Sequence, residues 1–192
     1  GRFDETLQAA QAAQKISASI GNQWGQSFSR MFTGLVYFAH GDMSSAIETM
    51  RECMRLGEQS GFLIPQVQVC SDLASIYGAL GDVKQGMELA ETAHAVALER
   101  LPNFESKPCA ALARLYVLKG DFVRAEANLI KGYATLKDDF TQQVTNQLPI
   151  AEIEMALAQK DYARAIKTAD ESFERFDKMG FRIFRSETLY LK

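Results

Sequence analysis

The 192-residue chain is poor in several of the residue types from which common sites are built. It has two histidines, His40 and His94, and three cysteines, Cys53, Cys70 and Cys109. An odd number of widely spaced cysteines is neither a disulfide framework nor a zinc-finger pattern. They read as reduced core-filling thiols, as expected for a cytoplasmic protein. A basic excess is missing too: the net charge is −3, which gives nothing for nucleic acid or an anionic membrane surface to attract. No apolar run approaches the ~20 residues of a membrane-spanning helix. Ala110 to Leu118, one of the longest, is broken by Arg114. There is no glycine-rich phosphate cradle, no G-x-S-x-G elbow and no H-E-x-x-H helix. No cofactor, no metal and no catalytic group is expected from these absences. Glu152 and Glu154 stand two apart, and neighbours at that spacing do not face each other on a helix.

What the chain does have is a period. Gly41-Asp42, Gly81-Asp82, Gly120-Asp121 and Lys160-Asp161 recur at spacings of 40, 39 and 40 residues. Each pair lies between two stretches with apolar residues in steps of three and four, the spacing of one helix face. Gln66 to Leu80 is such a stretch, with Val67, Cys70, Leu73, Ala74, Tyr77 and Leu80 on one side. Glycine just past a helix end can take the left-handed conformation that closes it. The aspartate that follows can cap the next helix by accepting from its free N–H groups. Lys160 in the glycine place predicts a tighter or strained turn.

The neighbouring positions repeat as well. Four residues before the turn lie Tyr37, Tyr77, Tyr116 and Ala156; seven before it lie Gly34, Ala74, Ala113 and Ile153. Five after it lie Ala46, Gly86, Ala125 and Ala165. Small residues there let two helices approach closely. The expected architecture is all-α, built of antiparallel helix pairs over 24–60, 65–101, 107–137 and 142–179. Residues 2–20 would be the second helix of a preceding pair, and 181–192 the start of a further one. Pro65 suits a first helical turn. Pro149 means that its helix starts late or kinks. Leu101 to Lys107 reads as the clearest loop.

The run Gly34-x-x-Tyr37-x-x-x-Gly41-Asp42-x-x-x-Ala46-Ile47 resembles a tetratricopeptide repeat, and the likeness extends over essentially the whole chain. Two departures stand out. Arg30, Cys70, Cys109 and Pro149 occupy the place of the usual first-helix tryptophan, and the period exceeds the usual ~34 residues. The longer period resembles that of bacterial signalling proteins, among them regulators of the maltose-activator type and adenylate-cyclase-type proteins with C-terminal repeats. The resemblance implies a right-handed superhelix of helix pairs, read here as a single array over 1–192. Half repeats at both ends would be uncapped, which predicts a piece of a longer protein and some capacity for self-association.

It further implies that the first helix of each pair lines a concave groove that binds a protein or peptide. The groove positions are Phe28, Met31, Phe32 and Leu35 in pair one, and Gln68, Asp72 and Ser75 in pair two. Pair three adds Lys107 and Arg114, and pair four Glu154. Apolar pair-one residues either anchor a partner or pack against a preceding helix that is missing from the chain. The carboxylate clamp of the chaperone-binding repeats is not matched: Asp72 stands where asparagine is expected and Ala111 replaces a basic residue. The expected function is a non-enzymatic interaction or regulatory module. The alternative is a small-ligand, sugar-like sensor using Trp24, Tyr77, Gln68 and Arg114.

Overall fold

The recurring Gly-Asp pair builds the same turn each time. In the computed structural model, which describes residues 2–136, 147–178 and 188–191, Gly81 has φ 89° and so closes the preceding helix in the left-handed region. The N–H of Asp82 then donates to the carbonyl of Tyr77 (2.9 Å), and the Asp82 carboxylate accepts from the N–H of Gln85 (3.1 Å). The same reach-back joins Asp42 to Tyr37, Asp121 to Tyr116 and Asp161 to Ala156. The three other aspartates cap through Ser45, Arg124 and Arg164. Lys160 adopts the glycine geometry, with φ 62°. The strain expected at this turn is therefore the cost of a side chain in the left-handed region.

Among the described residues the chain forms nine α-helices and no strand: α1 (Phe3–Ser19), α2 (Gln23–Ala39), α3 (Met43–Ser60), α4 (Ile64–Ala79), α5 (Val83–Arg100), α6 (Ser106–Leu118), α7 (Phe122–Thr135), α8 (Leu148–Ala158) and α9 (Tyr162–Lys178), with the four turns between α2 and α3, α4 and α5, α6 and α7, and α8 and α9. Residues 188–191 are helical too. Pro149 lies in the first turn of α8, so its helix starts late rather than kinking. The expected loop after Leu101 is mostly ordered: Pro102–Phe104 forms one 3-10 turn and α6 begins at Ser106. The expected end of pair three and start of pair four, and most of 181–192, lie outside the described residues. None of the described helices is long and apolar enough to cross a membrane.

Each helix packs on the next in sequence, and α2, α4, α6 and α8 also touch in succession. The small residues permit this closeness. A Cβ on Gly86 would come within 2.9 Å of the Ala74 carbonyl oxygen, so α5 crosses α4 backbone to backbone. The core is correspondingly a chain of linked clusters. Met31, Met50, Cys53, Val69 and Leu73 join α2, α3 and α4. Ala74, Ala90, Leu112 and Leu115 join α4, α5 and α6. Ala110, Leu129, Leu148 and Met155 continue it through α6, α7 and α8. Each fully buried Leu or Met side chain contributes about 1.5–3 kcal/mol of transfer free energy. Helix α4, enclosed by neighbours, is buried on nearly every side from Pro65 to Gly78. At the N-terminal end α1 has α2 as its main neighbour, and its Ile16 is 64% exposed.

Candidate functional site

The residues six, nine and thirteen places before each turn lie at matching points on α2, α4, α6 and α8. Two kinds of surface result. On α4 and α6, and on α8 with its N-cap residue Gln147, the polar ones among them form one network, while Ala111 and Ala151 take two of the places. Asp72 is buried, and burial pushes its carboxyl above the ordinary carboxylate range while the Lys107 ammonium pulls it back. Lys107 Nζ donates to Asp72 Oδ2 at 2.9 Å, with both side chains less than a tenth exposed. Gln147 Nε2 donates to Asp72 Oδ1 (3.3 Å), and its Oε1 accepts from Arg114 Nη1 (2.8 Å). Ser75 Oγ lies 3.3 Å from the same Oε1. Arg114 also holds Glu154 through Nε and Nη2 (2.9 and 2.7 Å), the planar two-point match of guanidinium and carboxylate. Gln68 is buried alongside. No buried side-chain polar atom among the described residues lacks a hydrogen bond.

The expected groove residues Asp72, Lys107, Arg114 and Glu154 thus direct these polar groups at one another. Beside them, Ser75, Arg114 and Glu154 with Leu115, Leu118 and Leu157 line a cleft of about 290 Å³, near the lower end of ligand-sized cavities.

On α2 the matching face is aromatic. Trp24, Phe28 and Phe32 follow at steps of four, and i, i+4 neighbours meet on a helix. The Trp24 and Phe28 rings stack at 5.2 Å with 11° between planes, and Phe32 meets Phe28 edge-on at 5.1 Å. Phe62, just beyond the end of α3, backs Trp24 at 4.7 Å. Trp24, Phe28 and Phe32 remain 47, 38 and 37% exposed. Met31 differs from its expected place in the groove: it is 6% exposed and belongs to the core with Met50 and Leu73. Leu35 is half-buried against that cluster. Phe28 and Phe32 thus face outward, while Met31 packs inward on α3 and α4. The sequence gives no sign of Phe62 here, because it stands in a link and outside any helix period.

A second cluster was not expected at all. The register suggests no cysteine–histidine pairing, yet α5, α6 and the turn before α6 bring His94, Glu105 and Cys109 together. One ligand atom from each lies within 4.8 Å of the others. His94 Nε2 is 3.2 Å from Glu105 Oε1. Lys131 of α7 reaches in, with Nζ 2.7 Å from Glu105 Oε1 and 3.1 Å from His94 Nε2. Burial first and the Lys131 charge second hold His94 below the usual imidazole range. Burial pushes the Cys109 thiol up to about 12. Cys53 and Cys70 are core thiols as expected, raised by burial to about 11 and about 12. His40 ends α2, its ring meeting Phe3 edge-on.

No protein-family model matches the chain, and no curated protein matches it either.

Proposed function

We propose that the chain is a tetratricopeptide-type module, a right-handed superhelix of helix pairs, that works by binding a protein or peptide. The observation that carries this reading is the Trp24–Phe28–Phe32 ladder, three contiguous aromatic side chains each more than a third exposed on one helix. Stacked rings are rigid, so burying them against a partner costs little rotamer entropy, and aromatic residues dominate interface energetics. In this reading the ladder is the anchoring end of the groove, and Leu35 supports it from below. The self-satisfied network of Asp72, Lys107, Arg114 and Glu154 stiffens the remaining helices and leaves the ladder to recognise the partner. The module would act without catalysis, as a regulatory or scaffold part of a larger cytoplasmic signalling protein.

The sugar-sensor alternative asks Trp24, Tyr77, Gln68 and Arg114 to offer rings and polar groups to one ligand. The Tyr77 hydroxyl already accepts from Arg51 Nη2 at 2.6 Å, and Arg114 is engaged by Gln147 and Glu154. Those engagements favour the peptide reading.

Capture of partners from a lysate by the unmodified chain and by a Phe28→Ser/Phe32→Ser variant tests it. Phe28 and Phe32 are 38 and 37% exposed and pack in one ring cluster with Trp24 and Phe62, so capture is compared at a temperature where melting curves show both proteins folded. A partner retained by the parent and lost by the variant, with affinity down about tenfold or more on the scale of interface anchors, is the expected result. Equal capture by both proteins would remove the ladder from the binding site.

A further inference from the structure

The cluster around His94 combines three donors that divalent zinc accepts: an imidazole nitrogen, a carboxylate oxygen and a sulfur. They come from α5, from the turn before α6 and from the first turn of α6, elements fixed by the shared core of Ala90, Leu112 and Leu115. The Glu105 side chain is 8% exposed, that of His94 22%, and Cys109 is fully buried. In a tetrahedral zinc site with bonds of about 2.0–2.3 Å, neighbouring ligand atoms stand roughly 3.3–3.8 Å apart. The His94–Glu105 edge, 3.2 Å, already has that size, and no pair in the set exceeds 4.8 Å. Closing the sulfur edges takes a movement of about 1 Å, within the reach of side-chain rotation.

The cluster also shows where a cation sits. Lys131 Nζ is held between Glu105 Oε1 and His94 Nε2, as a cation's own ligands would hold it. In the tautomer whose Nε2 accepts a hydrogen bond from the Lys131 ammonium, that nitrogen carries the lone pair that ligates metal. The Lys131 side chain is 43% exposed, so its ammonium can withdraw to water while its stem stays on the surface.

We propose that His94, Glu105 and Cys109 form a binding site for a zinc-class divalent cation, with Lys131 as a built-in competitor that occupies the site when metal is scarce. On binding, the Lys131 ammonium leaves still protonated, and the Cys109 thiol gives its proton to solvent. Metal–nitrogen, metal–oxygen and metal–sulfur bonds form, and water completes the fourth position. No oxidant or reductant takes part. The site lies on α5, α6 and α7, away from the aromatic ladder on α2, so it stands or falls independently of the peptide-binding reading.

The test uses Co²⁺ as the probe on the reduced full chain. Tetrahedral binding through sulfur should give an intense visible ligand-field spectrum and a thiolate-to-cobalt band in the near ultraviolet, saturating at one equivalent and abolished by Zn²⁺. The sulfur band should survive in Cys53→Ser/Cys70→Ser and vanish in Cys109→Ser. Lys131→Met, a change at a partly exposed position, should bind about tenfold tighter because one competing charge is gone. Its melting temperature should also rise on adding Zn²⁺. Two results would overturn the site: a weak octahedral spectrum in both the parent and Lys131→Met, or a sulfur band that persists without Cys109. The cluster would then be only the Lys131–Glu105 ion pair.

Discussion

Arg114 and Glu154 stand forty residues apart, at the same offset from their turns, and meet through two parallel hydrogen bonds of 2.9 and 2.7 Å. One full period thus separates two residues that touch. The pairing joins α6 to α8 along the face shared by the first helices, and through Gln147 it connects to the buried Lys107–Asp72 pair.

That buried pair gives the first prediction. A buried ion pair adds little over a well-packed apolar replacement, but removing one partner strands the other charge. Lys107→Met is expected to cost about 3–5 kcal/mol, because it removes the ammonium that answers the buried Asp72 carboxylate. The double variant Asp72→Leu/Lys107→Met should recover much of the loss. Urea denaturation of the three proteins checks this; a double variant as unstable as Lys107→Met would contradict the stranded-charge account.

The turn at Lys160 gives the second. A side chain at φ 62° costs about 1–2 kcal/mol, partly offset by the extra backbone entropy that glycine loses on folding. Lys160→Gly should therefore stabilise by roughly 0.5–1 kcal/mol. In a chain of this size that is a melting temperature higher by about 1–4 °C. Gly81→Ala should move it the other way. A calorimetric scan of both variants reads the sign directly.

Core thiols give the third. Burial raises Cys70 from 9.0 to about 12. Unfolded chains release that proton near pH 9 and folded chains hold it until about 12, so the folded state binds more protons in between. Stability is therefore undiminished below pH 9 and falls as pH rises towards 12. Thermal melts between pH 8 and 11 should show a shallower alkaline loss in Cys70→Val than in the parent. Identical slopes would mean that this thiol ionises as easily folded as unfolded.

The turns and helix limits were legible because their causes are local. Asp82 caps the helix that begins beside it, and Gly81 needs only its own φ. The tyrosine four residues before three of the four turns was legible by recurrence alone. What could not be read were contacts between helices. Arg114, Asp72, Lys107 and Glu154 all come from the helix before a turn, but a sequence carries no sign that they answer one another. His94, Glu105, Cys109 and Lys131 come from three helices and a turn, with no common spacing. Met31 and Phe32 are adjacent and similarly apolar. Only the position of α3 and α4 decides that one is core and the other surface.

The buried polar face also bears on how such a chain can change over generations. Its four turns share one geometry, so each helix pair could be copied with its own turn intact. Lys107 against Asp72 and Arg114 against Glu154 forbid it, since each charge is answered by one particular neighbour. Exchanging pair two with pair three would leave ions facing the wrong helices. The order of the units is written in these few side chains, and any descendant that reshuffles its units must rewrite them together.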